Sequence, residues 1–129
     1  MVTQEQIRQA VTAYFAGNNA LDADAIGALF TLDARMERVP GTSPATGRAA
    51  IRHVYAQLFA GLAEARVTAV HTLIAGNGVA VYYRGELTAR RGGAVAVEGI
   101  DTFEIDAEGQ IAAICFYWDP TPLAALLRG

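Results

Sequence analysis

AVAVEGIDTFEI (residues 94–105) decides the fold. Gly99, Asp101, Phe103 and Ile105 fall on one face of the run, and Glu98, Thr102 and Glu104 on the other, the period of a strand with one buried side. Three more runs of β-rich composition surround it: RVTAVHTLIA (66–75), VAVYYRGELTA (79–89) and IAAICFYW (111–118). Gly76-Asn77-Gly78, Arg91-Gly92-Gly93 and Ala107-Glu108-Gly109 separate them, each with the chemistry of a hairpin turn. The second half of the chain therefore reads as an antiparallel sheet.

The first half reads as helical. Ile7, Val11, Tyr14 and Phe15 make one stripe over residues 4–16, with Thr3 as N-cap and Gln6 as its capping-box partner. Asp22 caps a second helix predicted over 22–31, whose apolar face is Ile26, Leu29 and Phe30. Residues 34–39 read as a short strand and Pro40 to Gly47 as a loop. Arg48 to Leu58 is a third helix, with Ile51, Val54, Tyr55 and Leu58 in register. Helices followed by antiparallel strands give the α+β class. A curved, mixed or antiparallel sheet wrapped by three N-terminal helices would enclose a cone, whose open end is a natural small-molecule pocket. The C-terminal segment from Pro120 to Leu127 reads as a tail that shapes the pocket.

At 129 residues, the whole chain suits a single domain with one core. Apolar residues make up 53% and charged residues 18%, which excludes a disordered chain. A net charge of −3 argues against nucleic acid, which wants a dense Lys/Arg face. Cys115, the only cysteine, lies in an apolar run and is expected to be a buried, inert thiol. Residues 1–9 lack the layout of a signal peptide, and no apolar stretch reaches the roughly 18 residues that span a bilayer. A cytoplasmic protein is expected. No His/Cys/Asp/Glu cluster has metal-ligand spacing and no glycine-rich loop joins a strand to a helix, so neither metal nor other cofactor is expected.

An acid on an otherwise apolar inward face, as at Asp101, points to function. Taken singly, the candidates have ordinary readings too: a helical tyrosine such as Tyr14 is usually core, and a strand aspartate can cap a bulge or bind backbone amides. Ile114, Phe116 and Trp118 share one face of the last strand, as pocket wall or simple core. His53 is expected at the surface, and His71 could face either way.

The order of these segments resembles the delta-5-3-ketosteroid isomerases, within the larger nuclear-transport-factor-2-like (SnoaL-like) superfamily. The resemblance rests on the Tyr14 helix, Gly47-Arg48, Val54-Tyr55-Ala56-Gln57, the Asn77-Gly78 turn, Tyr83-Arg84-Gly85-Glu86, Ile100-Asp101 and Phe116-Tyr117-Trp118. Ketosteroid isomerases join an aspartate base to an oxyanion hole made by a tyrosine and a protonated aspartate. The resemblance implies that Tyr14 and Asp101 are that hole and that Tyr55 hydrogen-bonds Tyr14. It also implies that Val81, Tyr83, Phe103 and Trp118 are pocket wall; Phe30, Met36, Ile114 and Phe116 are expected to line the pocket with them. A hydrophobic carbonyl substrate and a homodimer are implied as well; Tyr82, Arg84 and Glu86 alternate onto the outer face, where copies could meet.

Two positions depart from the family pattern. Phe30 stands where some members carry a third tyrosine. Arg38 stands where the base is expected, and a guanidinium keeps its proton in proteins. An Arg38–Asp101 pair in the pocket would lower the Asp101 pKa and make it an ionised acceptor. That arrangement suits a hydrolase, lyase or cyclase of the epoxide-hydrolase or polyketide-cyclase kind, with Asp101 as base. Glu37 is the nearest second acid, but alternation turns it outward. A non-catalytic protein binding an apolar ligand is the third reading.

Overall fold

Residues 1–37 and 44–128 are described by the structure, a computed structural model. The first helix, α1, spans Gln4–Asn19. Its capping box is formed as expected: Gln6 N–H donates to Thr3 Oγ1 at 3.1 Å, and Thr3 N–H to Gln6 Oε1 at 2.8 Å. The apolar stripe Ile7, Val11, Tyr14 and Phe15 is buried.

Helix α2 is shorter than its sequence pattern, covering Ala23–Gly27 with Asp22 as N-cap. Leu29 and Phe30 do not extend it, because strand β1 begins at Phe30 and runs to Glu37. Pairing with the sheet has overridden weak helical periodicity there. A two-residue strand, β2 (Ala45–Thr46), pairs antiparallel with β1. Helix α3 covers Arg48–Ala60. Its entry is pinned to β1 because the Arg48 guanidinium donates twice to the Phe30 carbonyl, at 2.9 and 2.7 Å.

The long strands are β3 (Leu62–Ala75), β4 (Gly78–Ala89), β5 (Ala94–Ile105) and β6 (Ile111–Trp118). They join the first two in one six-stranded sheet of order β2-β1-β6-β5-β4-β3, antiparallel except where β1 lies parallel to β6. The α+β class with a curved mixed sheet is thus as expected. Register shifts in β3 against β4, at Leu62/Glu64 and Ala69/His71, add the bulges that bend the sheet. Gly85 marks the closest approach, since a Cβ there would lie 2.2 Å from the Arg66 carbonyl oxygen.

A fourth helix, α4 (Thr121–Arg128), replaces the expected C-terminal tail. Asp119 starts it by accepting from Thr121 N–H at 3.0 Å, and Leu123 is buried. The helices and the concave sheet face enclose the core, which runs from Ile7 and Ile26 through Phe30, Ile51 and Ile111. The opposite sheet face carries exposed Leu73, Ile100 and Tyr117. Cys115 lies there half-buried, which corrects the expectation of a buried thiol: it alternates outward between Ile114 and Phe116. Among the described residues no helix is long and apolar enough to cross a membrane, and no group of three or more His, Cys, Asp or Glu could hold a metal ion.

Candidate active site

Tyr14, Tyr55 and Asp101 line one cavity of about 500 Å³ on the concave side of the sheet. They come from α1, α3 and β5. Helical periodicity turns Tyr14 and Tyr55 into the space between the helices and the sheet, where their hydroxyl oxygens lie 2.5 Å apart. Ring contacts fix Tyr14 further: Phe103 meets it edge-on at 5.1 Å and Phe15 at 5.3 Å. Strand alternation turns Asp101 inward beside its cross-strand neighbours Val81 and Phe116.

Asp101 is 4% exposed, the one charged side chain buried to this degree among the described residues. Its Oδ1 has no hydrogen-bond partner among them. Burial pushes the carboxyl up to about 8, because an ionised form there would be poorly solvated. Burial likewise raises the Tyr14 phenol well above its ordinary value, with Tyr55 and the Asp101 charge adding to the rise and Asn18 opposing it. The Tyr83 phenol is raised by burial and then by Asp101. At neutral pH the cavity therefore carries phenols and a neutral carboxylic acid, all able to donate.

That corrects the expected direction for Asp101. A neighbouring guanidinium would have lowered its pKa, and burial raises it. Arg38, on which that expectation rested, lies outside the described residues, as does the 38–43 part of the expected strand and loop.

The SnoaL-like domain family matches residues 11–114, which include Tyr14, Tyr55 and Asp101. This chain is a SnoaL-like protein. A steroid delta-isomerase from Nocardioides simplex is 30% identical over 116 residues, covering 89% of this chain and 91% of that protein. Among solved structures, the epoxide hydrolase/cyclase-like enzyme SalBIII, from pyran ring formation in the polyether salinomycin, is 28% identical with a TM-score of 0.82. The match covers 94% of this chain and 96% of that one. A hypothetical protein with a ketosteroid isomerase-like fold from Catenulispora acidiphila, solved with trimethylamine, has a TM-score of 0.80 at 22% identity, over 92% of each chain. The chain thus belongs with the ketosteroid-isomerase-like members of the nuclear-transport-factor-2-like superfamily.

Of the wall positions read from the sequence, Met36, Tyr83, Phe116 and Trp118 border the SnoaL-like cavity. Phe30, Val81, Phe103 and Ile114 do not border it, which corrects their assignment as wall. They are at most 2% exposed and belong to the core, although Phe103 still positions Tyr14 through its ring. Glu37 is exposed and borders a groove on the opposite side of the sheet, as alternation required. His71 is exposed and away from the cavity.

His53 is exposed, as expected, yet it borders the cavity mouth beside Gln57. The Gln57 amide lies 3.1 Å from His53 Nε2 and donates to it, which leaves the ring proton on Nδ1. Pro120 and Leu123, at the start of α4, border the cavity within the segment expected to shape it; what sequence reading missed is that the segment is a helix. Leu123-Leu126-Leu127 behind Asp119 was the available signal, obscured by two prolines. Asn18 was also missed, one helical turn beyond Tyr14 on the same face.

Proposed function

We propose that this SnoaL-like protein is an enzyme of the ketosteroid-isomerase kind, acting on an apolar carbonyl compound. Tyr14 and neutral Asp101 bind the carbonyl oxygen, and Tyr55 supports Tyr14. The observation carrying this reading is the partner-poor, buried Asp101 carboxyl in the same cavity as the Tyr14–Tyr55 pair. As a proton leaves the carbon beside the carbonyl, negative charge grows on that oxygen. Donors already aimed in a dry cavity stabilise the charge by a few kcal/mol each, on the order of 2.7–4 for the best-studied cases.

Proton removal falls to a group other than residue 38, since arginine cannot accept it. Among the described cavity-lining residues, His53 is the one imidazole, and its Nε2 is already taken by the Gln57 amide. The test separates the donors from the base. An unsaturated ketosteroid is incubated with wild type, Arg38→Asp, and Arg38→Asp combined with Tyr14→Phe, while ultraviolet absorbance follows conjugation. Supplying an aspartate should raise turnover by about 100-fold or more, the usual worth of a positioned base. Adding Tyr14→Phe should remove the gain. An inert Arg38→Asp variant would count against the reading.

A second reading is favoured by the likeness to SalBIII and by an acid held at about 8. A carboxyl with that pKa can both give and take a proton near neutrality, as a hydrolase or cyclase requires. This reading makes Asp101→Asn inactive, whereas a donor role leaves the amide a partial substitute.

We also propose a homodimer formed through the outer sheet face. Exposed Leu73, Ile100 and Tyr117 lie there, with charges of both signs such as Arg35 and Glu104 at 3.4 Å.

A further inference from the structure

Seven aromatic side chains border the cavity that holds Asp101, and among the described residues no arginine or lysine does. Their rings are set at angles to one another. Tyr14 meets Tyr55 at 80° with centroids 6.0 Å apart, Tyr55 meets Phe59 at 46° and 5.8 Å, and Phe15 meets Tyr83 at 51° and 6.0 Å. Stacked pairs would cover each other's faces, whereas edge-on and tilted pairs leave π-faces for a ligand. On β6, Phe116 lies directly opposite Asp101, and Trp118 lies opposite Gly99, two residues along the same inward face. Tryptophan is the ring that attracts a cation most strongly.

One acid stands among these rings. Asp101 is 4% exposed, and its Oδ1 has no hydrogen-bond partner among the described residues. A buried carboxylate is unfavourable unless a cation or several donors meet it. A ligand cation would supply that partner to Asp101, and the surrounding rings would attract the rest of its charge.

We infer that the cavity also takes an apolar ammonium, a tertiary or quaternary amine with hydrocarbon substituents, held by the Asp101 carboxylate and the aromatic walls. The ligand enters as the proton leaves Asp101, so one positive charge replaces another and the buried site stays neutral. This goes beyond the carbonyl reading, which uses the same carboxyl as a neutral donor: the two ligand classes take the two protonation states of one acid. The other titratable side chains bordering the cavity are Tyr14 on α1, His53 and Tyr55 on α3, and Tyr83 on β4. Strand β6 and helix α4 contribute Phe116, Trp118, Pro120 and Leu123, which do not titrate. Burial raises the Tyr14 and Tyr83 phenols, which keeps them neutral while Asp101 titrates near 8.

The probes are phenyltrimethylammonium, whose charge is fixed at any pH, its neutral twin tert-butylbenzene, and 2-naphthol, whose anion resembles an enolate. Affinities are measured by calorimetry from pH 6 to 9 for wild type, Asp101→Asn and His53→Gln. Proton release is read at pH 7 from buffers of different ionisation enthalpy. In wild type the ammonium should gain nearly tenfold per pH unit up to about 8 and release close to one proton, while tert-butylbenzene does neither. At pH 9 the ammonium should bind at least tenfold tighter than its twin, and Asp101→Asn should remove that preference. His53→Gln should keep both the slope and the preference, which separates the buried acid from the imidazole at the mouth. Should Asp101→Asn fail to fold, the wild-type slope and proton count decide alone. An ammonium that binds no tighter than its twin at pH 9, that binds without releasing a proton, or that loses its pH dependence in His53→Gln overturns the inference. 2-Naphthol reads the carbonyl-oxygen donors separately. If it binds while the ammonium fails, those donors stand without this ligand class. If it fails while the ammonium passes, the ammonium site stands without the carbonyl reading.

Discussion

The hydroxyl oxygens of Tyr14 and Tyr55 lie 2.5 Å apart, tying α1 to α3 at the cavity wall. Either can donate. When Tyr55 donates, the Tyr14 proton is left for an oxygen in the cavity, and charge drawn onto Tyr14 is shared along the pair.

Removing each hydroxyl should therefore have unequal effects. In the Arg38→Asp background, Tyr14→Phe is expected to lower kcat by roughly 100- to 1000-fold, the range for losing one oxyanion donor. Tyr55→Phe acts through Tyr14 and should cost nearer tenfold, by the order of a supporting hydrogen bond. Conjugation rates under saturating ketosteroid would measure both. Equal losses would place Tyr55 against the substrate instead.

The buried acid should leave a mark on stability. Asp101 titrates near 3.8 when unfolded and near 8 when folded, so between these values the folded state holds more protons. Stability from this group is then fully present below about pH 4 and is lost as pH rises toward 8, at roughly 1 kcal/mol per pH unit. Asp101→Asn should abolish that slope. Urea unfolding of both proteins from pH 4 to 8 checks this, with the difference between them isolating Asp101 from other groups.

Thr3→Ala breaks the capping box at the start of α1, far in sequence from Tyr14. It should cost about 1 kcal/mol of stability. Thermal unfolding reads the loss, and 2-naphthol affinity measured well below the transition should stay within twofold of wild type.

Leu123→Ala tests the wall supplied by α4. Leu123 is 5% exposed and borders the cavity, so truncation should cost about 2 kcal/mol, the lower end for a buried leucine because the space opens into the cavity. Unlike Thr3→Ala, it should also weaken 2-naphthol several-fold.

Much of this arrangement was legible in the chain. The Thr3–Gln6 box, the Asp22 cap and the inward set Gly99, Asp101, Phe103 and Ile105 are local or period-two signals, and such signals survive into the fold. Phe30 was misread as helical because a short apolar run fits either period, and its pairing with Ile111 is a long-range contact. Phe30, Val81 and Ile114 were taken as pocket wall because alternation tells which face a side chain is on. It does not tell how far down the cone the side chain sits. The Asp101 protonation state depends on desolvation by residues scattered through the chain, which no local pattern encodes.

The charge on Asp101 at neutral pH tests the account most directly. A titration of protein carrying ¹³C-labelled aspartate, with Asp101→Asn used to assign the signal, would measure it. The account predicts a carboxyl still protonated at pH 7 with a midpoint near 8. A midpoint near or below 4 would show an ionised Asp101 and contradict its role as a neutral donor.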